Sequence, residues 1–177
     1  MSDLALTLQR VSDVGYLNIR GDSNDAAFVD AIKKACGVEL PLKPNTVGVG
    51  TNTMYWLGPN EWLLATQDSN AASIAKGLSK TLKNQHVAIN NLSGGQVTYR
   101  LAGDAAASLL AKGCTLDLHP GVFGPGQCAQ TGLAKAAILL TPLPDNPGYE
   151  IVVRRSFADY LWQWLLRAGH EYGIEVT

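Results

Sequence analysis

The sequence lacks an excess of charge of either sign and lacks an apolar run long enough to span a membrane. Its 177 residues include 14 basic and 15 acidic side chains, for a formal net charge of −1. A nucleic-acid binder needs a basic stripe that neutralises phosphates, so this balance argues against such a partner. Residues 1–10 show neither the basic nor the apolar region of a signal peptide. We therefore expect a cytoplasmic protein with no nucleic-acid partner and no membrane partner.

Cysteine is scarce, and the usual nucleotide-binding motifs are missing. The three cysteines form no Cys-x-x-Cys pair, which favours buried free thiols at Cys36, Cys114 and Cys128. Cys114, Asp117 and His119 are near enough in sequence to share a metal, but a structural zinc site generally needs four ligands. The chain has no phosphate-binding loop and no dinucleotide fingerprint. We expect no catalytic, cofactor or metal site in this chain, with the Cys114–His119 set as the open alternative.

One order of secondary-structure signals occurs twice. In the first half, a strand leads to Gly21 and to a helix from Asp22 to Cys36. In the second half, a strand leads to Gly103 and to a helix that Asp104 caps and that Gly113 ends in a left-handed conformation. Two strands joined by a turn and then another helix follow in both halves. The duplication is too long for a solenoid repeat, so it indicates an internally duplicated domain.

The fold class that follows is α+β, built from two β-β-α-β-β-β-α units. We expect a single domain over residues 1–177, with pseudo-repeats of about 1–85 and 86–177. The first strand is predicted on Leu4, Leu6 and Leu8, which alternate with polar residues. The last helix of each unit is predicted to be capped by a serine, Ser69 in the first unit and Ser156 in the second.

The helix predicted from Ser156 to Ala168 is apolar on more than one side. Its inner face is assigned to a broad apolar set: Phe157, Tyr160, Leu161, Trp164, Leu165 and Ala168. At ~100° per residue, Trp162 and Leu166 then point outward, where they would suit a partner protein. The alternative is that Trp162 packs under the chain's own C-terminal segment.

Two arginines precede this helix. Arg154 and Arg155 stand where the helix dipole already disfavours positive charge, which suggests that an anion binds there. An ion pair with Asp159 or Asp145 is the alternative. The predicted partner-binding residues are thus Arg154, Arg155, Trp162 and Leu166.

Four blocks of the sequence together resemble the gamma subunit family of heterotetrameric sarcosine oxidase. They occur in order and are Gly58–Leu63, Lys112–Pro120, Gly126–Thr131 and Arg154–Trp162. The resemblance implies a fold similar to the folate-binding domain of the glycine-cleavage T-protein, in which the duplicated units exchange strands. It also implies a role as a non-catalytic subunit that serves assembly and stability, with alpha, beta and delta subunits as partners.

The family's complex oxidises sarcosine to glycine and yields hydrogen peroxide and, with tetrahydrofolate, methylene-tetrahydrofolate. The resemblance implies that FAD, FMN, NAD and tetrahydrofolate are bound by the other subunits. Folate-processing relatives carry a Gly-Gly turn and carboxylates at a place that here reads Gly132–Ala137, without any acid. This argues against folate chemistry in this chain. The alternatives are a stand-alone folate-binding or one-carbon-transfer protein, and a subunit of a related N-methyl amino acid dehydrogenase.

Overall fold

The computed structural model describes residues 6–177 and contains, over that range, four α-helices and eleven β-strands. The helices are α1 (Ala26–Cys36), α2 (Asp68–Thr81), α3 (Ala106–Ala111) and α4 (Arg155–Gly169). The strands are β1 (Leu6–Val11), β2 (Val14–Arg20), β3 (Val47–Val49), β4 (Thr53–Gly58), β5 (Glu61–Gln67), β6 (Ala88–Asn91), β7 (Gln96–Ala102), β8 (Ala129–Leu133), β9 (Ala136–Pro142), β10 (Gly148–Arg154) and β11 (Ile174–Val176). Leu4, predicted in the first strand, lies outside the described residues.

The order of these elements confirms the predicted duplication. β1 to α2 follow the pattern β-β-α-β-β-β-α, and β6 to α4 repeat it. A short 3-10 turn at His170–Tyr172 and the strand β11 complete the chain. Within residues 6–177, no helix combines the length and the apolar character needed to cross a lipid bilayer.

One compact unit comprises residues 13–94. Its five-stranded sheet has the order β3-β4-β5-β2-β6, and every neighbouring pair is antiparallel. Successive side chains of a strand point to opposite faces, so Leu17 and Ile19 on β2 share the face that the helices cover with Trp62 and Leu64 on β5. Leu17 and Trp62 on that face form one buried cluster with Phe28 of α1 and Leu78 of α2.

The second unit comprises residues 6–12 and 95–177 of the described chain. Its six-stranded sheet has the order β11-β1-β7-β10-β9-β8. β11 lies parallel to β1, and the other neighbours are antiparallel. Its buried cluster joins Leu8 of β1 and Tyr99 of β7 to Leu109 of α3 and Leu161 of α4.

The two halves of the sequence exchange strands, as the resemblance implied. β1 belongs to the first repeat but pairs with β7 of the second repeat, from Thr7 opposite Ala102 to Val11 opposite Thr98. β6 belongs to the second repeat but pairs with β2 of the first. The compact units therefore differ from the sequence repeats of about 1–85 and 86–177, and their organisation as one domain remains our proposal.

The start of α1 differs from the sequence prediction. The helix begins at Ala26 rather than at Asp22, because Asp25 is the residue that caps it. The Asp25 carboxylate accepts a hydrogen bond from the Ala27 N–H at 2.8 Å. Asp22 instead accepts from the Asn24 N–H at 2.9 Å and closes the preceding turn. Two aspartates three residues apart both suit an N-cap, and only the chain path chooses between them.

The serine caps predicted for α2 and α4 are wrong. The helices begin at Asp68 and Arg155, and neither receives a side-chain cap. Backbone carbonyls instead accept hydrogen bonds from the first N–H group of each helix. The Asp68 N–H donates to the Asp13 carbonyl and the Arg155 N–H donates to the Gly95 carbonyl, each at 2.9 Å. Both acceptors immediately precede a strand, β2 in one repeat and β7 in the other. The same backbone bond therefore starts the last helix of both repeats.

The predictions at both ends of α3 are also wrong. This helix starts at Ala106 after Ala105, without a side-chain cap from Asp104. Lys112 keeps a right-handed conformation at the other end, and Gly113 is not among the residues with positive φ. Gly113 is needed for space, since a Cβ there would lie 2.6 Å from the Trp164 ring.

We predict that Gly21→Ala destabilises the protein. A Cβ at Gly21 would lie 2.4–2.8 Å from three ring carbons of Phe28, which is fully buried and cannot retreat. Such overpacking costs about 1–3 kcal/mol in the free energy of unfolding, measurable by urea denaturation. Gly77→Ala is the control, because Gly77 is exposed within α2 and a Cβ there meets no atom within 4 Å. That change should stabilise the helix by about 0.5–1 kcal/mol, and equal effects of the two substitutions would contradict the prediction.

Candidate functional site

Helix α4 carries three of the predicted partner-binding residues, Arg155, Trp162 and Leu166, and its orientation differs from the prediction. The Trp162 indole packs against the core of its unit, with its ring centroid 5.2 Å from that of Tyr99. Leu166 is half-buried against the same core. The predicted outward orientation of Trp162 and Leu166 is therefore wrong. The partner-binding role of these residues remains a prediction.

Two small residues explain why α4 turns a different face to the core than the sequence predicted. Ala158 and Gly169 are buried and let α4 approach β7 and α3 closely. The Tyr99 hydroxyl donates a hydrogen bond to the Ala158 carbonyl at 3.0 Å, which fixes this side of the helix on the sheet. The buried stripe follows helical spacing from that point: Ala158, Leu161, Trp162, Leu165, Leu166 and Gly169. Hydrophobicity alone predicted that the neighbouring face of α4, with its larger side chains, would be the buried one.

Phe157 and Tyr160 are the apolar side chains that α4 shows to solvent. They are 41% and 39% exposed, respectively, although the sequence predicted both on the inner face. Trp164 is half-buried and lies against Gly113. Sequence reasoning missed this exposed aromatic pair. The signal that could have found it was the spacing of the small residues Ala158 and Gly169, which marks the side of closest packing.

The two arginines at the start of α4, Arg154 and Arg155, are both exposed. Arg154 has extended backbone angles, and Arg155 is the first helical residue. The Arg155 N–H is already bonded to the Gly95 carbonyl, so the helix terminus offers one fewer donor to an anion. Within residues 6–177, Arg154 forms no salt bridge, which removes the expected ion pair with Asp145 or Asp159 for this side chain.

A cavity of about 430 Å³ opens in the same unit. It is lined by the start of the α3 segment, by the loop before β8 and by the turn between β9 and β10, which fall within residues 103–107, 118–125 and 142–149. Phe123 and Tyr149 form part of the wall and stack with their ring centroids 6.4 Å apart. This volume lies within the range of small-molecule and side-chain pockets. Sequence reasoning did not single out this cavity.

The cavity wall has a distinctive chemistry. Five of its residues are prolines, which carry no backbone N–H: Pro120, Pro125, Pro142, Pro144 and Pro147. Two carboxylates, those of Asp104 and Asp145, also line it, and no lysine, arginine or histidine does so among the described residues. The N–H groups of Gly103 and Leu143 donate to the carbonyls of Pro147 and Gly148. The site therefore offers negative charge and mainly hydrogen-bond acceptors, to which the side-chain amide of Asn146 adds a donor.

Tyr149 does not supply acid–base chemistry to this cavity. Its hydroxyl donates to the Leu118 carbonyl at 3.3 Å, and the group is buried. Burial raises the pKa of the Tyr149 phenol above its ordinary value, so the proton stays on the oxygen at neutral pH. Its role is to hold the aromatic wall in place.

The residues considered for a metal site have local structural roles. The Asp117 carboxylate accepts from the His119 N–H at 2.9 Å, and the His119 Nδ1 atom accepts from the Gly121 N–H at 3.1 Å. The Cys114 thiol is buried and lies 3.8 Å from the Thr131 hydroxyl. In residues 6–177, no group of three or more histidine, cysteine, aspartate or glutamate side chains is arranged to hold a metal.

The cysteines lie where the sequence predicted, as buried free thiols: Cys36, Cys114 and Cys128. Burial raises the pKa of the Cys36 thiol to about 12. Its thiolate, the nucleophilic form, is therefore scarce at neutral pH.

The hairpin between β8 and β9 is the place at which the resemblance to folate-processing proteins predicted a departure from their pattern. Here the turn consists of Ala134 and Lys135, both exposed, and Ala134 takes a positive φ of 52°. The Ala134 N–H donates to the Gly113 carbonyl at 2.9 Å, which ties the hairpin to the end of α3. This turn therefore carries the cationic side chain of Lys135 and no carboxylate.

The block around Glu61 and Trp62 serves the fold of the first unit. The Trp62 indole N–H donates to the Pro41 carbonyl at 2.8 Å in the buried core. The Glu61 carboxylate accepts from Arg20 at 2.6 Å and from Asn18 at 2.8 Å, both on β2. The hydrogen bond from Arg20 is the main cause that lowers the pKa of Glu61. The contacts of Glu61 therefore join β5 to β2 and stabilise their pairing.

We predict that Trp162→Ala destabilises the isolated chain. The substitution removes a half-buried ring from its contact with Tyr99, at an expected cost of about 2–3 kcal/mol in the free energy of unfolding. Phe157→Ala is the matched control on the same helix, with an expected change within about 0.5 kcal/mol because Phe157 is exposed. Chemical denaturation of both variants measures the difference, and a neutral Trp162→Ala would argue for the outward orientation.

We predict that Glu61 stabilises the wild type at neutral pH and that this contribution is lost as the pH falls below about 5. A lowered pKa in the folded state means that the unfolded chain binds this proton more readily, at its ordinary pKa of about 4.3. The contribution of Glu61 is present above that value and is lost as the pH falls through the folded pKa. Urea midpoints of the wild type and Glu61→Gln should therefore differ at pH 7 and converge near pH 3. A pH-independent gap would contradict this role.

Comparison with known proteins relates this fold to an enzyme family. Residues 20–171 match the model of the sarcosine oxidase, gamma subunit family. The sarcosine oxidase subunit gamma of Corynebacterium sp. (strain U-96) is 32% identical over 170 residues, which cover 95% of this chain and 81% of that protein.

The solved structures that resemble the chain include two that bear on its family and fold. One is a chain of the heterotetrameric sarcosine oxidase from Corynebacterium sp. U-96 in complex with pyrrole 2-carboxylate, with a TM-score of 0.85, 31% identity and coverage of 94% of this chain and 85% of that one. The other is the glycine cleavage system aminomethyltransferase T from Bartonella henselae, with a TM-score of 0.68, 16% identity and coverage of 99% and 48%. The second likeness concerns the fold and confirms the predicted T-protein-like architecture. From the family match and the similarity along nearly its whole length, the chain belongs to the sarcosine oxidase gamma subunit family.

Proposed function

We propose that this chain is a non-catalytic gamma subunit that supports the assembly and stability of a heterotetrameric sarcosine-oxidase-like flavoenzyme in the cytoplasm. The observation that carries the proposal is its similarity, over 94% of its length, to a chain of a heterotetrameric sarcosine oxidase. The partners would be alpha, beta and delta subunits. The complex would demethylate sarcosine oxidatively to glycine, with hydrogen peroxide and methylene-tetrahydrofolate as further products.

The non-catalytic assignment is supported by the state of the candidate reactive groups. The Cys36 thiol is held protonated by burial, and the Tyr149 hydroxyl is bonded to the backbone. Asp117 and His119 serve a local turn. Each group thus has a structural task and no arrangement toward a substrate, so FAD, FMN and NAD are proposed to reside in the other subunits.

Tetrahydrofolate is likewise proposed to bind to the other subunits. The turn at Ala134–Lys135 has no carboxylate to hold a pterin ring or to take a proton. The cavity lined by Asp104 and Asp145 would repel the carboxylates of a folate tail. These features weigh against a stand-alone folate-binding or one-carbon-transfer protein.

We retain Arg154, Arg155, Trp162 and Leu166 as proposed partner-binding residues, with roles revised by the structure. Arg154 and Arg155 are exposed and able to reach carboxylates of a partner. Trp162 and Leu166 are half-buried, so they support the helix that presents Phe157 and Tyr160 to the partner. Aromatic residues and arginine carry much of the binding energy at protein interfaces.

The proposal predicts that the chain purifies as part of a flavoenzyme and is inert alone. Co-expression with the other subunits of its complex should give a heterotetramer with a flavin spectrum and sarcosine oxidase activity. The isolated chain should show no flavin absorbance, and calorimetry should detect no tetrahydrofolate binding at micromolar strength, which would correspond to about −8 kcal/mol.

Two results would contradict this assignment in different ways. If the other subunits, expressed without this chain, gave an active oxidase of the same yield and stability, the proposed role of the chain in assembly would be contradicted. Micromolar binding of tetrahydrofolate to the isolated chain would instead support the folate-binding alternative. The double variant Phe157→Ala/Tyr160→Ala tests whether α4 contacts a partner. Both side chains are exposed, so the variant should keep its fold while its assembly with the other subunits weakens.

A further inference from the structure

We infer that the proline-lined cavity of the second unit receives a basic side chain, lysine or arginine, from an extended segment of a partner subunit. This inference rests on the proposed function, because it requires that the chain works within a complex. It adds a site to that function: the cavity lies at the turn between β9 and β10 and does not include α4. The argument depends on the charge, the hydrogen-bonding capacity and the surroundings of the cavity.

The charge of the cavity favours a cation. Asp104 and Asp145 both line it, both are exposed, and neither forms a salt bridge or accepts a side-chain hydrogen bond within residues 6–177. No basic side chain in that range lines the cavity to balance them. Two uncompensated carboxylates at one cavity give it a negative potential, which attracts a positive group.

The hydrogen-bonding groups favour a donor. Five prolines remove backbone N–H groups from the wall but leave their carbonyls. The Gly124 N–H is bonded to the Gln127 side chain at 2.7 Å, and the Gly103 and Leu143 N–H groups are bonded within the turn. Asn146 also lines the cavity and has both a carbonyl acceptor and an amide donor. Guanidinium and ammonium groups are pure donors, so they match the carboxylates and carbonyls that predominate in this wall.

The walls also suit the stem of such a side chain. Lysine and arginine place an aliphatic stem along apolar surface and keep the charged head near polar groups. Phe123 and Tyr149 supply stacked aromatic walls, and Leu118 and Pro142 supply buried apolar surface. The stem would contact this surface while the head reaches the two carboxylates.

A protein segment fits better than a free metabolite. Four of the lining prolines are exposed, and Val122 beside them is 57% exposed, so apolar surface continues beyond the cavity: Pro120, Pro125, Pro144 and Pro147. Exposed apolar surface around a pocket is typical of a protein interface. A zwitterionic amino acid or a folate would bring a carboxylate toward Asp104 and Asp145, which the cavity cannot neutralise. The prolines also restrict the loops before binding and lower the entropic cost of docking.

The test uses the co-expressed complex. Asp104→Asn/Asp145→Asn keeps the shape of both side chains and removes both charges. We expect this variant to bind its partner subunits about 10-fold or more weakly at low salt, with a smaller dependence on salt than the wild type. Asp30→Asn/Glu175→Gln is the charge-matched control, since both residues are exposed and neither lines the cavity. Surface binding assays at 50 and 300 mM NaCl would measure both variants, and circular dichroism would confirm their folds.

A second measurement separates a partner side chain from a free organic cation. The isolated chain is titrated with butylguanidinium chloride and, as the opposite charge, with sodium propionate, while the amide signals of Gly103 and Gly148 are followed by NMR. We expect weak, millimolar perturbation by butylguanidinium in the wild type and none in Asp104→Asn/Asp145→Asn. Propionate should leave these signals unchanged.

The outcomes distinguish this inference from the proposed function. If the wild type forms the complex and both double variants bind equally well, the cavity inference is overturned while the proposed function stands. If butylguanidinium binds at micromolar strength but Asp104→Asn/Asp145→Asn assembles as well as the wild type, the cavity binds a free organic cation. The inference of a partner segment is then rejected. If the wild type itself forms no complex, the proposed function fails and the inference fails with it.

Discussion

The strand exchange is the constraint on which the rest of the structure depends. β1 lies between β11 and β7, so the six-stranded sheet includes a strand encoded more than eighty residues before its antiparallel neighbour. β6 completes the five-stranded sheet in the reciprocal way. Each exchanged strand covers a sheet edge that would otherwise leave backbone groups unpaired and open to aggregation. Contacts of such sequence separation form slowly, because loop-closure entropy is lost before they stabilise the chain.

A second consequence of the duplication is that helix placement depends on the backbone. In both repeats, the carbonyl just before a strand accepts a hydrogen bond from the first N–H of the final helix. The Asp13 carbonyl accepts from the Asp68 N–H, and the Gly95 carbonyl accepts from the Arg155 N–H. Side-chain caps are then unnecessary, and the sequence near the helix start is free to serve other purposes. In the second repeat, that freedom allows exposed arginines at Arg154 and Arg155.

The features that suit a partner lie on connections and on one helix face, while the sheets provide rigid support. The cavity forms where the segment before α3, the loop before β8 and the turn after β9 meet. The blocks that revealed the family have mixed roles: Trp62 holds a core by donating to Pro41, while Asp117 and His119 shape the loop that leads to the cavity. Loops on a rigid scaffold are where binding functions usually reside.

The sequence alone determined the order of the elements, the duplication, the buried thiols and the family, because strand alternation, helix period and short motifs are local signals. The strand exchange followed from the resemblance, since no local pattern says which strand pairs with which. Only the tertiary structure decided the rotation of α4, because its apolar residues occupy several sides and the choice depended on close packing at Ala158 and Gly169. The cavity was also beyond the sequence, since Asp104 and Asp145 are forty residues apart and meet only when the fold joins their loops.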